Sequence, residues 1–407
     1  MAKQNHTANQ NWVRKVNRSI ILETLRTERT LSRARLADET GLNPSTVSNI
    51  IHELLDENLV RETELVQPAV GRPGRLLELN PYGGGALGVE INVDYIGILL
   101  TDFTANTLWR HRLASNPQDG QAVILSKAID LIQEAIALAE THNLGLLGIG
   151  VGVPGLVDLR NGTLRIAPNL QWYDVPICDL LMNNFNSPIY IENEANAAAL
   201  GEFYFGAARG VHNFIYLSAG VGLGSGIMID KKLYRGSFGY ASEVGHMTFD
   251  INGELCGCGR HGCWETFVGP RAVERRVQRT LQEGADSILR DMVSGDLEKI
   301  DFERVFEAAQ KEDQVALNAL VEVGRNLGIG IANLINAFNP ELVVLGGALN
   351  LAAPIILPEA ERITYETSLP PNREHVRIVP SAHGTDACLM GAIALVLDDI
   401  LREPMLG

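Results

Sequence analysis

The chain has 407 residues, 46% hydrophobic and 20% charged, with a formal net charge of −15. That length allows two or three domains with separate cores, and the acidic balance excludes a whole surface devoted to nucleic acid. The charge is unevenly spread: residues 1–80 carry eleven Lys/Arg against ten Asp/Glu, and residues 1–35 carry eight against two. A locally basic head on an acidic body suits a head that touches phosphates and a body that does something else. The opening MAKQNHTANQNW lacks an apolar stretch, so no secretory signal is expected.

In the head, apolar residues at Val16, Ile20, Ile21 and Leu25 predict a helix over Val16–Arg26. Ser32 is a suitable N-cap for a second helix over Arg33–Glu39. Thr40-Gly41-Leu42 reads as a short turn. Asn43 caps a third helix, with Pro44 at its first position, where its missing N–H costs nothing. That helix runs to about Glu57 and buries Val47, Ile50, Ile51, Leu54 and Leu55. A helix, a glycine turn and a second capped helix form the pattern of a helix-turn-helix. Ser45, Thr46, Ser48, Asn49 and His52 then lie on or near the exposed face, as short polar groups able to reach base edges and phosphates. Leu59-Val60 and Leu76–Leu79 read as strands flanking the stiff basic loop Gly71-Arg72-Pro73-Gly74-Arg75. Arg72 and Arg75 suit a wing on a phosphate backbone or minor groove. The alternative is a small helical interaction module with a solvated basic turn.

Beyond residue 80, strand-like runs alternate with helical stretches, which means an α/β architecture. Ala86–Ile91 and Ile96–Leu100 look like paired strands, Ile124–His142 a long helix, and Leu146–Val153 and Pro188–Ile191 buried strands. A helix is expected to start near Asn193, with further strands at Phe214–Leu217, Gly226–Ile229 and Leu342–Leu345. The most apolar region, Leu327–Ala348, is broken by Asn333, Asn336, Asn339, Pro340 and Glu341. It reads as a buried helix and strand, not a membrane span. Glycine-dense turns at Ser218–Gly226 and Gly346-Gly347 could expose backbone N–H groups as phosphate loops do, or serve tight packing alone.

His246, Cys256, Cys258 and Cys263 are spaced H-x9-C-x-C-x4-C. Three thiolates and an imidazole are the closed ligand set of a structural Zn²⁺ site. A turn with free thiols is the alternative, but three of only five cysteines lie here. Cysteines clustered at metal spacing point to a reducing cytoplasm rather than a disulfide framework. Glu243 and Glu265 flank the cluster, so a rigid metal knot would hold carboxylates beside a pocket.

Val151–Asp158, Ala167-Pro-Asn-Leu-Gln-Trp172, Glu192–Glu202, the cluster ending Gly262-Cys-Trp-Glu265, and Gly384–Ala392 follow one another in order and spacing. In these segments the chain resembles the ROK family of sugar kinases and sugar-responsive repressors, over essentially its whole length. The resemblance implies an N-terminal winged helix-turn-helix followed by a two-lobed α/β fold of the actin/hexokinase-like ATPase type. It implies a DNA-binding domain over 1–80 and a small lobe over 81–195 plus 384–407. The large lobe, 196–383, would carry the zinc site and dimerisation helices. It also implies a sugar site of Asn169, Asn193, Glu194, Glu243, His246 and Glu265, whose carboxylates and amides suit adjacent hydroxyls. His246 would turn one ring nitrogen to zinc and the other to the sugar. Asn193 and Glu194 also stand where a helix cap and first turn would use them.

Two departures from the family's kinases matter. Their phosphate loop, Asp-x-Gly-Gly-Thr, is here Glu90-Ile-Asn-Val-Asp94. Its glycines are lost and Asp94 would repel a triphosphate. Glu194 stands in place of a catalytic aspartate, displaced by a methylene. A site that holds a sugar but cannot phosphorylate it is a sensor. The expected protein is an operator-binding repressor released by a small aldose, with xylose repressors the nearest branch. It would act as a homodimer, with a tetramer as the alternative, and without a membrane. A glucose-responsive repressor, one controlled by a transporter protein, and a sugar kinase with an accessory DNA-binding head remain the alternatives.

Overall fold

The computed structural model describes residues 10–66 and 74–401. The head opens with a helix at Gln10–Glu28, longer at both ends than its apolar periodicity suggested. Ser32 caps the helix Arg33–Thr40, its Oγ accepting from the Arg35 N–H at 3.3 Å. That helix ends at Gly41, whose φ of 66° lets the chain turn sharply. Asn43 then caps Pro44–Asp56, its Oδ1 accepting from the Ser45 N–H at 3.0 Å. Val47, Ile50, Ile51 and Leu54 are buried at helical spacing, while Leu55 is only half-buried. Val60–Val66 and Gly74–Leu79 pair as an antiparallel hairpin, and Leu31-Ser32 joins its second strand as a short third strand.

Two five-stranded sheets build the body. The first runs, in spatial order, Ile189–Asn193, Leu146–Val153, Gly85–Ile91, Tyr95–Asp102 and Thr107–Ala114. Helix Gln121–Thr141 covers it, burying Ile124, Ala128, Ile132 and Ala135. The second runs Lys232-Leu233, Leu223–Ile229, Phe214–Ala219, Leu342–Gly347 and Arg377–Pro380. Its core includes the 25-residue helix Gln314–Phe338, which is apolar enough to cross a membrane by composition but packs within the cluster around Leu320, Leu327 and Ile331. A small sheet of Leu156–Asp158, Thr163–Ala167 and Trp172–Val175 sits beside the first lobe.

Two helices join the lobes. Glu194–Phe205 is buried almost all round and packs on the C-terminal helix Ala387–Leu401 through small residues. A Cβ on Gly391 would stand 1.7 Å from the Ala197 carbonyl oxygen, so the close approach requires glycine there. The C-terminal helix also enters the head. Leu389, Ile393, Val396 and Leu397 share one apolar cluster with Ile21, Leu22 and Leu25 of the first helix. Arg26 completes the docking: its Nη1 donates to the Tyr204 carbonyl at 2.6 Å, with the guanidinium 5.1 Å from the Tyr204 ring centroid.

Candidate functional site

A cleft of about 490 Å³ takes its walls from both lobes. Asn169, Asn193, Glu194, Glu243, His246 and Glu265, the residues expected at a sugar site, all line it. Asn193 is also the N-cap of helix Glu194–Phe205. Its Oδ1 accepts from the N–H groups of Ala195 (2.9 Å) and Asn196 (3.1 Å), and its Nδ2 donates to the Gly155 carbonyl at 2.9 Å. The fold therefore occupies most of this amide and leaves one N–H for a ligand. Glu194 is the first residue of the helix. Burial, with Glu90, Glu243 and Asp94 nearby, pushes its carboxyl up to about 8. It is mostly neutral at pH 7 and can donate as well as accept. Ser242, just before Glu243, has a φ of 74° and is held there by Ser225 Oγ donating to its carbonyl at 2.5 Å. A serine in that region costs about 1–3 kcal/mol, a strain often stored where a ligand is clamped.

Glu265 joins the cleft to the metal loop. Its Oε2 accepts from the Leu223 N–H at 3.3 Å and its Oε1 from the Cys256 thiol at 2.7 Å. The ligand atoms of His246, Cys256, Cys258 and Cys263 lie within 4.8 Å of one another. Cys258 Sγ to Cys263 Sγ and Cys256 Sγ to His246 Nδ1 are each 3.6 Å. A tetrahedral ion with arms of about 2.3 Å has edges of roughly 3.8 Å, so these two separations suit a metal and the set as a whole would draw in around one. His246 Nδ1 faces the thiols, while Nε2 lies 4.0 Å from Glu243 Oε2 on the cleft side. The loop closes tightly because Gly262, at φ 67°, lies where a Cβ would meet the Asp250 carbonyl at 1.5 Å.

In the head, Ser45, Ser48, Asn49 and His52 are exposed along one face of Pro44–Asp56, and Thr46 is half-buried beside them. Ser45 is partly engaged, its Oγ donating to Asn43 Oδ1 at 2.9 Å. Arg75 donates to Glu62 at 2.6 Å, and Arg33 pairs with the same carboxylate at 2.9 Å. These hydrogen bonds, Arg75 first, hold the Glu62 carboxyl below the usual range. Arg72 lies outside the described residues. Arg14, Arg18, Arg35 and Arg61 pair with Glu53, Glu57, Glu39 and Glu78. Much of the head's basic charge is thus committed to its own acids, which composition alone does not reveal.

The ROK family matches residues 86–399, and the IclR helix-turn-helix domain matches residues 20–64. The chain belongs to the ROK family. A xylose repressor of Caldicellulosiruptor bescii is 35% identical, over 98% of this chain and 99% of its own. The structure of a ROK family transcriptional regulator, a homologue of the E. coli MLC protein, covers 96% of this chain and 98% of its own at 29% identity, with a TM-score of 0.81. A ROK family glucokinase from Streptomyces griseus, solved in complex with glucose and AMPPNP, is 32% identical with a TM-score of 0.70. It covers 77% of this chain and 99% of its own. The repressor and regulator matches therefore extend over the head as well as the body, whereas the glucokinase leaves nearly a quarter of this chain unmatched.

Within the ROK body, the turn at Asn92–Asp94 is closed on itself. The Val93 N–H donates to Asn92 Oδ1 at 2.7 Å and the Asn92 N–H to the Tyr95 carbonyl at 2.9 Å. The Asn92 and Val93 N–H groups are therefore already bonded within the turn. The hairpin at Ser218–Gly226 divides its glycines: Gly220 and Gly222 line the cleft, and the packing reading holds for the second strand, which starts at Leu223. There, Cβ atoms on Gly224 and Gly226 would stand 2.9 Å and 2.6 Å from the Ala195 and Ala199 methyls of helix Glu194–Phe205. The cleft also contains Glu90, Tyr95 and Arg112, to which sequence reasoning gave no site role. The departure of Glu90–Asp94 from the kinase loop, with Asn92 and Val93 at the glycine positions and Asp94 at the threonine, was the available signal.

Proposed function

We propose that this ROK protein is a transcriptional repressor that binds operator DNA through its helix-turn-helix head and is released by a small aldose, xylose first and glucose second. One observation carries the reading: a cleft lined with sugar-type carboxylates and amides is joined, in one chain, to a DNA-type recognition face, while the turn that would hold phosphates is filled by its own side chains. Phosphoryl transfer needs positioned backbone donors and a correctly placed base. With the Val93 N–H taken by Asn92, the Asn92 N–H by the Tyr95 carbonyl and Glu194 mostly neutral, a kinase rate is not expected.

The chain's own residues account for binding and relay. Glu194, Glu243 and Glu265 exchange hydrogen bonds with sugar hydroxyls, and His246 Nε2 adds a fourth polar contact. Zn²⁺, held by His246, Cys256, Cys258 and Cys263, would supply a structural cross-link. It would fix the tautomer of His246 and the position of the 256–263 loop. Helices Glu194–Phe205 and Ala387–Leu401 both begin at the cleft and end under the head, some 18 Å away for the first. A sugar that shifts their first turns therefore shifts the surface on which the head is docked. Two such heads, paired in a homodimer, would read half-sites about 34–36 Å apart or a multiple of that, and tolerate little change in separation.

The test is titration calorimetry with D-xylose and D-glucose, then gel-shift titration of operator DNA with and without each. Sugar binding that weakens operator binding is the expected result. Tighter operator binding with sugar reverses the sign. No response to any aldose moves control to a protein partner.

A further inference from the structure

Glu90 stands on strand Gly85–Ile91, on the face turned to the C-terminal helix, where that helix begins at Ala387 and Cys388 beside the cleft. It is 3% exposed and lines the cleft. Its Oε1 is fixed by two donors, Asn92 Nδ2 at 2.9 Å and the Tyr95 hydroxyl at 2.7 Å. With Oε1 held, the direction of Oε2 is set, and Oε2 has no hydrogen-bond partner among the described residues. Arg112 is near but committed elsewhere: its guanidinium lies 4.1 Å from the Tyr95 ring centroid and is bonded to Asp386 at 3.4 Å and the Thr385 carbonyl at 3.3 Å. Packing alone would be served by an apolar residue here, as at Val89 and Ile91 on the same strand. An orphaned buried carboxyl oxygen needs a reason.

Resting on the sugar-sensor reading above, we propose that Glu90 is a specificity-determining residue of the cleft, whose free oxygen exchanges a hydrogen bond with one hydroxyl at the inner end of the aldose. Burial drives its carboxyl towards the neutral form, which suits an uncharged polyol because a neutral carboxyl can donate and accept. Glu90 and Glu194 line the same cleft and lie near enough for the one charge to act on the other. A hydroxyl between them accepts from one and donates to the other. A site built to bond a hydroxyl rejects the analogue lacking it far more strongly than an apolar pocket rejects a missing methylene, because its own polar group is left unpaired.

The experiment is calorimetry on the full-length protein with D-xylose and its 2-, 3- and 4-deoxy forms. Wild type, Glu90→Leu and Glu90→Gln are compared, with operator binding in the absence of sugar as the check on folding. In wild type, loss of one particular hydroxyl is expected to weaken binding on the order of 10–100-fold. In Glu90→Leu, D-xylose itself weakens by a similar factor and discrimination at that one position falls to near unity, while the other positions keep theirs. Glu90→Gln, which keeps a donor and an acceptor, retains discrimination at the same position with an altered size. Equal losses for all four sugars, or discrimination unchanged in both variants, overturns the role of Glu90 while leaving the sensor reading intact. If Glu90→Leu does not fold, unchanged discrimination in Glu90→Gln alone overturns it. If wild type binds neither D-xylose nor D-glucose, both readings fall.

Discussion

Arg26→Ala should separate sugar sensing from operator release. Arg26 lies in the head, its side chain 15% exposed, and its Nη1 donates to the carbonyl of Tyr204, the penultimate residue of the helix that begins at Glu194 in the cleft. That carbonyl is one of the last four of the helix, which lack partners within it, and a cation there also meets the negative end of the helix dipole. A hydrogen bond from a charged donor contributes about 1.5–3 kcal/mol. The Tyr204 ring adds about 0.5–1 kcal/mol, while the pairing with Glu23 adds little because Glu23 is 45% exposed. About 2–4 kcal/mol is therefore lost, as large as a typical allosteric coupling of about 1–3 kcal/mol. The apolar contacts of Ile21, Leu22 and Leu25 remain, so the head stays docked but loses its polar link to this helix. The assay is the ratio of operator affinities without and with saturating D-xylose. A wild-type ratio of roughly 5–150 should fall to within about fivefold of unity, with calorimetric sugar affinity unchanged. An unchanged ratio in a folded variant, or a tenfold loss of sugar affinity, refutes the reasoning.

Two further outcomes are expected. The folded carboxyl of Glu194 titrates at about 8, above its ordinary value of 4.5, so the folded state binds more protons than the unfolded one between these values. Stability should fall as pH rises from about 4.5 to 8, by up to about 1.4 kcal/mol per unit. Glu194→Gln should reduce that slope in denaturant melts, leaving the part due to the raised carboxyls of Glu90 and Glu243, and parallel curves for the two proteins would rule it out. Cys258→Ser, or removal of metal by a chelator, should lower the melting temperature and weaken D-xylose binding together, because metal binding is folding free energy and two of the four ligands, His246 and Cys258, themselves line the cleft. Full stability and sugar affinity in metal-free protein would contradict this.

Several features were legible in the chain because their causes act over a few residues. Apolar positions 47, 50, 51 and 54, with Asn43 and Pro44 ahead of them, state one helix face and its start. The H-x9-C-x-C-x4-C spacing states a metal loop whose ligand atoms the structure brings within 4.8 Å. Edges were less legible. Strand Leu223–Ile229 starts inside a glycine run, because Gly224 and Gly226 are required by the helix packed on them and not by turn geometry.

The sequence by itself determined most of the elements, the family and six residues that the fold brings to one cleft, since caps, periodicity and motif order are local and each carries its own chemistry. Only the tertiary structure decided how these parts share atoms. It bonded the remaining Asn193 amide to the Gly155 carbonyl, which leaves that cap one N–H in the cleft. It tied Arg75 to Glu62 and turned the free oxygen of Glu90 into a buried wall. It also ran the head's core into a helix more than 350 residues away, with Leu22 and Leu397 in one cluster. Such partners are set by the path of the whole chain, and burial then fixes which hydrogen bonds are already made and which remain for a ligand.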